Sequence, residues 1–436
     1  MTPSAFVNTR RNPAAAAGTP RSGVSRKSMH TRCRMCRTSL PEPFLDLGTM
    51  PLANAFLSST DEFARERSYP LAVTACPACG LVQLTYVVPA EQLYRHYLYV
   101  SSTSEAVRRY AAGLAARMMA HHHLGPEHLV VELGSNDGLV LREFQRRGVR
   151  VVGVEPAGNI AAMARAAGVP TVNDFFSADT AKRLAAKEGP ADVILGRHVF
   201  AHIDDLHGFF DGVSSLLTAD GVLLIEVPYL GHLIARLEFD TIYHEHLSYL
   251  SVEPMRMLCE QRGFQLVDVE PVALHGGSVL FSIQRAGMHH RTTARVERLR
   301  RQERQHSLTR RLTLRRFAAR VTQWKQNFES RIDRLSRSGA RLAGYGAAAK
   351  ANTLLNFCPS AAPRLHYILD RNPHKRGLYM PGTHIPVVNA DGWKDATISH
   401  ILILAWNFKH EIIAQMQPFA ARGGRFVIPI PQPKIV

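Results

Sequence analysis

From Leu129 the chain reads LVVELGSNDGLVLREFQRRGVRVVGVEP, and no other stretch restricts the fold so tightly. Leu129 to Leu133 is an apolar run of strand length. Gly134 and Gly138 bound a turn, Leu139, Leu141 and Phe144 follow on a helical stretch, and VRVVGVEP is a second apolar run that ends at Glu155. Strand, glycine turn, helix and strand in this order form a βαβ unit, whose parallel strands need helices over both faces. ADVILGRHVFAHI and GVLLIEVPYL provide further strands, as a doubly wound α/β sheet requires.

The turn also discriminates among ligands. Glu155 lies 21 residues beyond Gly134, at a strand's carboxyl end, where an acid can grip ribose hydroxyls. G-S-N-D-G lacks the G-x-G-x-x-G spacing that brings a dinucleotide's pyrophosphate to a helix N-terminus. Glu132 just before the turn, with Asn136 and Asp137 inside it, suits a cationic sulfonium carrying an amino-acid tail. The expected cofactor is S-adenosylmethionine, bound by Glu132, Gly134, Asn136, Asp137, Gly138 and Glu155.

RLAGYGAAAKANTLLN repeats the strand, turn and helix pattern near the other end, and LHYILDRNPHKRG, HILILAWNF and GRFVIPIP add three strands. Here G-x-G-x-x-A does occur, from Gly344 through Gly346 to Ala349, with Asp370 21 residues beyond Ala349. Two ligands fit equally: a nicotinamide cofactor, or a phosphate on the turn amides with Lys350 beside it. Tyr345 and Lys350 are accordingly candidate substrate contacts.

Four of the six cysteines form two knuckles, Cys33-x2-Cys36 and Cys76-x2-Cys79, while Cys259 and Cys358 stand alone as core thiols. Two such knuckles present four thiolates tetrahedrally, which suits a structural Zn²⁺ with no open ligand position. Disulfides are the alternative, disfavoured in a reducing compartment.

The formal net charge of +17 raises the question of nucleic acid, and its location answers it. Residues 1–37 hold eight Lys or Arg and no acid, and residues 285–341 hold seventeen against four acids, so the remainder is slightly acidic. The first region is rich in Ala, Pro, Ser and Gly and reads as a disordered tail. In the second, Phe317, Val321, Trp324, Phe328, Ile332 and Leu335 recur every three or four residues, which is one face of a long helix with its arginines in solvent. Neither nucleic acid nor membrane is an expected partner. No apolar stretch reaches membrane-spanning length and the N-terminus carries no apolar signal core, so the expected compartment is the cytoplasm.

TIYHEHLSYLS, from Thr241 to Ser251, gathers two histidines, a glutamate and two tyrosines, a density of titratable groups that packing does not ask for. Together with the CxxC pair around LDLGTMPLANAFL, and with VVELGSNDGLVL, GVEP, HVFAHI, IEVPYL, YHEHLSYLS, HGGSVLFSI and GYGAAAKANTLLN, it resembles the sugar-nucleotide C-methyltransferases that make branched deoxysugars. The resemblance runs in order from about Cys33 to Pro431. It implies a small zinc-binding N-terminal domain, a central Rossmann-like methyltransferase domain and a second, C-terminal Rossmann-like domain, with a TDP-linked keto-deoxysugar held between the last two. We set the boundaries at 1–30 for the tail, 31–95, 96–284, 285–340 for the connecting helices, and 341–436. The resemblance further implies a monomer that methylates C3, or in some members C5.

By the same resemblance Tyr243, Glu245 and His246 sit at the reacting carbon and His202 faces the sugar. The family often carries Asn where this chain has His198, a departure that bears on one sugar contact. Tyr97, in the polar loop YLYVSSTSEA, is a further candidate for lining the pocket. A carbon next to a ketone is barely acidic, so its methylation needs a base and a donor for the enolate oxygen. We assign the base to His246, the enolate donor or helper to Tyr243, and to Glu245 a sugar hydroxyl or the orientation of an imidazole. Rival readings are oxidoreduction of a nucleotide sugar through the C-terminal fingerprint, methylation of a sugar hydroxyl, and a zinc-dependent nucleic-acid module.

Overall fold

A computed structural model of the chain describes residues 29–273, 277–287 and 291–436. The expected tail, apart from its last two residues, and His275 of HGGSVLFSI lie outside the described residues.

The βαβ expectation is met by a seven-stranded sheet. Leu129–Leu133 lies inside it, flanked in parallel by Arg150–Val154 on one side and Ala191–Arg197 on the other. The order of strands thus reverses direction at Leu129–Leu133, and a crevice opens at the carboxyl ends of strands around such a switch point. Thr171–Val172 extends the parallel set on one flank and Leu217–Pro228 on the other. Ser278–Arg285 and Phe264–Val272 close the second flank as antiparallel strands. Alternate residues of the central strands pack into two separate apolar layers, Val131 and Ile194 in one and Val130, Val193 and Leu195 in the other, which is why these strands read as unbroken apolar runs.

A second α/β sheet of six strands occupies the C-terminal part. Leu342–Tyr345 is flanked in parallel by Leu365–Asp370 and His400–Ile403, with Val387–Asn389 and Arg425–Ile428 outside them. Its glycine turn lies at the corresponding switch point.

The third sheet is antiparallel, and its last strand comes from far along the chain. Leu45–Pro51, Ser68–Ala75 and Val82–Leu84 are joined by Ser248–Tyr249, the residues that follow the YHEH cluster. The zinc-knuckle region and the acid–base segment are therefore one hydrogen-bonded unit.

The amphipathic helix appears as Arg311–Arg337, and Leu314, Phe317, Val321, Trp324, Phe328 and Ile332 are its buried face. These side chains share one core with Leu354, Phe357 and Ile428 of the C-terminal sheet and with Phe239 and Ile242 of the segment leading to YHEH. Trp324 stacks on Phe328 at 4.8 Å and meets Phe239 edge-on at the same distance. The arginines at 311, 315, 316 and 320 are exposed, as the amphipathic reading requires. Truncating Phe328, which is wholly buried, to Ala is expected to destabilise the fold by about 3–5 kcal/mol, measured by urea denaturation.

Candidate functional site

Each knuckle closes the same way. Arg37 and Gly80, both at positive φ, donate their N–H to the carbonyls of Cys33 and Cys76, so the chain doubles back and aims both sulfurs inward. The four Sγ atoms lie within 4.8 Å of one another, and the six cysteines are free thiols. Cys33 faces Cys79 at 3.6 Å and Cys36 faces Cys76 at 3.4 Å, close to the edge of about 3.8 Å of a ZnS₄ tetrahedron with bonds near 2.3 Å. The donor set fits Zn²⁺ and closes its coordination shell, which makes the metal structural. Arg34, between the two knuckle cysteines, is almost fully buried. Its guanidinium donates to the carbonyls of Leu247 and Leu84 and pairs with Asp204, so the knuckle grips the main chain just past His246.

At the carboxyl end of Leu129–Leu133, Gly134 turns at φ +58, and a Cβ there would stand 2.3 Å from Val199 Cγ2. Both oxygens of Glu155 accept main-chain N–H groups, from Asn136 and from Ala157, so this acid first of all shapes the turn. Asn136 accepts from Ser101 N and donates to Tyr99 O, which ties the loop after Tyr97 across the crevice. Glu132 Oε2 and Asp137 Oδ1 are buried without a hydrogen-bond partner among the described residues. Burial pushes Glu132 up to about 8, with Arg197 opposing and Asp137 and Glu155 adding to it. Two buried acids with unused oxygen lone pairs suit a ligand bearing an ammonium and a sulfonium, so the residues present fit S-adenosylmethionine.

The acid–base cluster lies beyond this crevice. His246 Nδ1 is 2.8 Å from the carbonyl oxygen of Thr241, which can only accept, so Nδ1 carries the proton and Nε2 the lone pair. Tyr243 donates its hydroxyl to that lone pair at 2.8 Å. Burial holds His246 at about 3, despite the Thr241 carbonyl, and holds Tyr243 well above its usual value, so the pair rests as neutral imidazole and phenol. His202 stacks between His246 and Tyr94, at 5.2 and 5.4 Å. Its buried Nε2 has no hydrogen-bond partner among the described residues. Glu245 accepts from Asn54 at 2.6 Å and from Tyr97 at 3.0 Å, and burial pushes it up to about 7 against both donors. His244 points the other way, toward the carbonyls of Tyr69 and Pro70.

The fold thus gathers Tyr97, His202, Tyr243, Glu245 and His246. His198 lies beside them at φ +54, its Nε2 3.2 Å from Glu226 Oε1. Glu226 also receives Tyr110 and Arg197. Burial alone would raise this carboxyl, yet His198, Arg197 and Tyr110 hold it well below the carboxylate range. Lys350 reaches over the Trp406 ring at 4.7 Å, near Asp240 and Glu238. Tyr345 is not brought to the cluster. It packs among Ile401, Ile403 and Ile412 on the outer face of its sheet and donates its hydroxyl to Gln415. The glycines of that turn answer to the protein's own atoms: a Cβ on Gly344 would stand 2.9 Å from Ile368 and Leu404, and one on Gly346 2.6 Å from Ala405. Ala347 N is taken by Asp370 Oδ2. The fingerprint is therefore accounted for by packing, without a dinucleotide. Sequence reasoning missed Asn54, Tyr94, Tyr110, Arg197, Glu226 and Asp240, although the first lies within the PLANAFL stretch that carries part of the family resemblance.

Family comparisons cover these parts in the same order. A putative zinc-binding domain matches residues 33–94, a methyltransferase domain 103–269 and a C-methyltransferase C-terminal domain 273–431. C-methyltransferase NovU of Streptomyces niveus is 35% identical over 404 residues, 93% of this chain and 96% of that protein. The chain belongs to the C-methyltransferase family. It is an S-adenosylmethionine-dependent C-methyltransferase with a structural zinc site. Among solved structures, the S-adenosylmethionine-bound magnesium protoporphyrin IX methyltransferase ChlM of Synechocystis PCC 6803 is 14% identical over 41% of this chain and 79% of its own, with a TM-score of 0.31. The 1,6-didemethyltoxoflavin-N1-methyltransferase of Burkholderia thailandensis is 21% identical over 42% and 80%, also at 0.31. Among the described residues no helix is long and apolar enough to cross a membrane.

Two outcomes are expected. Cys76→Ser yields purified protein with less than one zinc per chain, read by metal analysis, and a lower melting temperature. The buried carboxyls also set a pH dependence. Glu132, Glu238 and Glu245 keep protons in the fold up to about 8, 7 and 7, above their unfolded value, so the stability they confer at low pH is lost as pH rises through that range. Buried His244 and His246 act with the opposite sign, but only below the unfolded imidazole value of 6.5. The ligand-free protein's melting temperature therefore falls between pH 6.5 and 8, and Glu132→Gln flattens that slope.

Proposed function

We propose that the chain methylates the carbon next to the ketone of a TDP-linked keto-deoxysugar, C3 being favoured, in the making of a branched deoxysugar. The observation that carries this is the Tyr243–His246 pair: a neutral imidazole with its lone pair at Nε2, capped by a phenol that can turn away. When Tyr243 rotates its hydroxyl onto the ketone oxygen, one movement uncovers the base and delivers the donor. His246 Nε2 takes the proton from carbon, and Tyr243 holds the negative charge that moves to oxygen. S-adenosylmethionine supplies the electrophilic methyl group. Held at Glu132 and Asp137, it would present that group to the carbon that His246 and Tyr243 activate. Tyr97 and Asn54 hold Glu245 toward a sugar hydroxyl, His198 and His202 line the sugar side, and Lys350 stands at the nucleotide side.

One observation favours a second assignment within the same reaction. Glu245, pushed up to about 7, is better matched to proton transfer at neutral pH than His246, held at about 3. Wash-out of the substrate's α-proton in heavy water separates the two: it is lost in His246→Ala if the ring is the base, and in Glu245→Gln if the carboxylate is.

The test of function is transfer of labelled methyl to enzymatically made TDP-4-keto-deoxysugars. The intact protein is expected to leave label on carbon; losing the base costs on the order of 10²–10⁴-fold, and Tyr243→Phe roughly 10²–10³-fold. Methylation of a hydroxyl needs no enolate donor, so a Tyr243→Phe enzyme of unchanged rate points to oxygen. No transfer to any ketosugar, by zinc-loaded protein that binds the cofactor, refutes the acceptor.

A further inference from the structure

The turn ahead of the acid–base cluster, Phe239–Thr241, holds a buried carboxylate that the reaction above does not use. Asp240 is wholly buried in the central part of the chain, and Trp406, just beyond the strand His400–Ile403 of the C-terminal sheet, donates its indole N–H to Asp240 Oδ2 at 2.6 Å. On either side of Asp240 the same turn is held by the C-terminal part. Phe239 inserts between Trp324 and Phe357, at 4.8 and 5.5 Å, and Thr353 donates its hydroxyl to the carbonyl of Ile242 at 3.2 Å. Between these anchors lies the carbonyl of Thr241, the acceptor that keeps the proton of His246 on Nδ1.

A histidine's tautomer is set by the hydrogen bond its other nitrogen makes. If the Thr241 carbonyl turns away, the proton is free to move to Nε2, the lone pair then faces away from Tyr243, and the pair is disarmed. We propose that Asp240 is a positioning residue for the methyl transfer: bound by Trp406, it fixes the turn whose Thr241 carbonyl selects the active tautomer of His246. The C-terminal sheet then serves the chemistry by holding that turn, which explains why Trp406 and a buried acid meet across two parts of the chain. This rests on the reading of His246 as the group that exchanges a proton with Tyr243 or substrate.

The test reads tautomer and turnover separately, on full-length zinc-loaded enzyme. Long-range ¹H–¹⁵N NMR of His246 in the intact protein is expected to show Nδ1 protonated and Nε2 bare. Asp240→Ala and Trp406→Phe are each expected to give a mixture of tautomers and a kcat lower by roughly tenfold to a hundredfold, with KM for S-adenosylmethionine unchanged. Asp240→Asn keeps an acceptor for the indole and is expected to restore both readouts. A lone Nδ1 tautomer in folded Asp240→Ala and Trp406→Phe overturns the proposal, whatever the rate. If Asp240→Ala does not fold, Trp406→Phe decides alone, since it removes a donor and keeps an aromatic ring. Full activity of His246→Ala would instead defeat the role given to His246, while the tautomer readout still reports whether Asp240 sets it.

Discussion

A buried titratable side chain is tolerated only where each of its polar atoms finds a partner or its charge is suppressed, and the stretch from Thr241 to Ser251 places several of them in sequence. No single sheet could supply all the partners. Asn54, Tyr94 and the carbonyls of Tyr69 and Pro70 come from the zinc-bearing part, Tyr97 from the connection to the central sheet, and Thr353, with Trp406 for the preceding Asp240, from the C-terminal part. One polar segment thus draws partners from all three parts, beside the apolar cores that those parts share. Breaking any of these docks leaves an orphaned buried group, which costs more than the lost contact itself.

The same economy explains the zinc. A metal sequestered by four sulfurs does no chemistry on a substrate, but it makes two tight turns rigid, and Arg34 projects from one of them into the carbonyls of Leu84 and Leu247. A buried guanidinium is costly unless its donors are used, so its position is strongly specified. Rigidity at the knuckle is passed by hydrogen bonds to the main chain that carries Glu245 and His246.

What was legible in the sequence was whatever leaves a local pattern. The βαβ unit around Leu129, the second one around Leu342, the paired CxxC knuckles and the helix face from Phe317 to Ile332 all follow from spacing. The density of YHEH pointed, for the same reason, to side chains that the fold gathers into one cluster. Asn54, Arg197, Glu226 and Asp240 left no such trace, because each acts through a partner remote in sequence and looks alone like an ordinary polar residue. Tyr345 misled for the converse reason. Its place in a glycine-rich fingerprint suggested a ligand, whereas strand alternation turns it to the outer face and leaves Gly344 and Gly346 as concessions to close packing. Glu155 sat where an acid was expected, yet its oxygens are spent first on the turn amides.

The short strand Ser248–Tyr249 has a consequence for how the polypeptide emerges from the ribosome. Val82 and Gln83 pair with Tyr249 and Ser248, so the antiparallel sheet made by the first part of the chain lacks its last strand until most of the central sheet has been synthesised. The edge at Val82–Leu84 stays open meanwhile, and an open apolar edge invites pairing with other chains. The strand that completes that sheet closely follows His246 in the chain, so closing the edge also brings the YHEH segment against the first part. The two residues that cap the open edge are thus covalently continuous with the YHEH cluster of titratable groups, and one segment serves both needs.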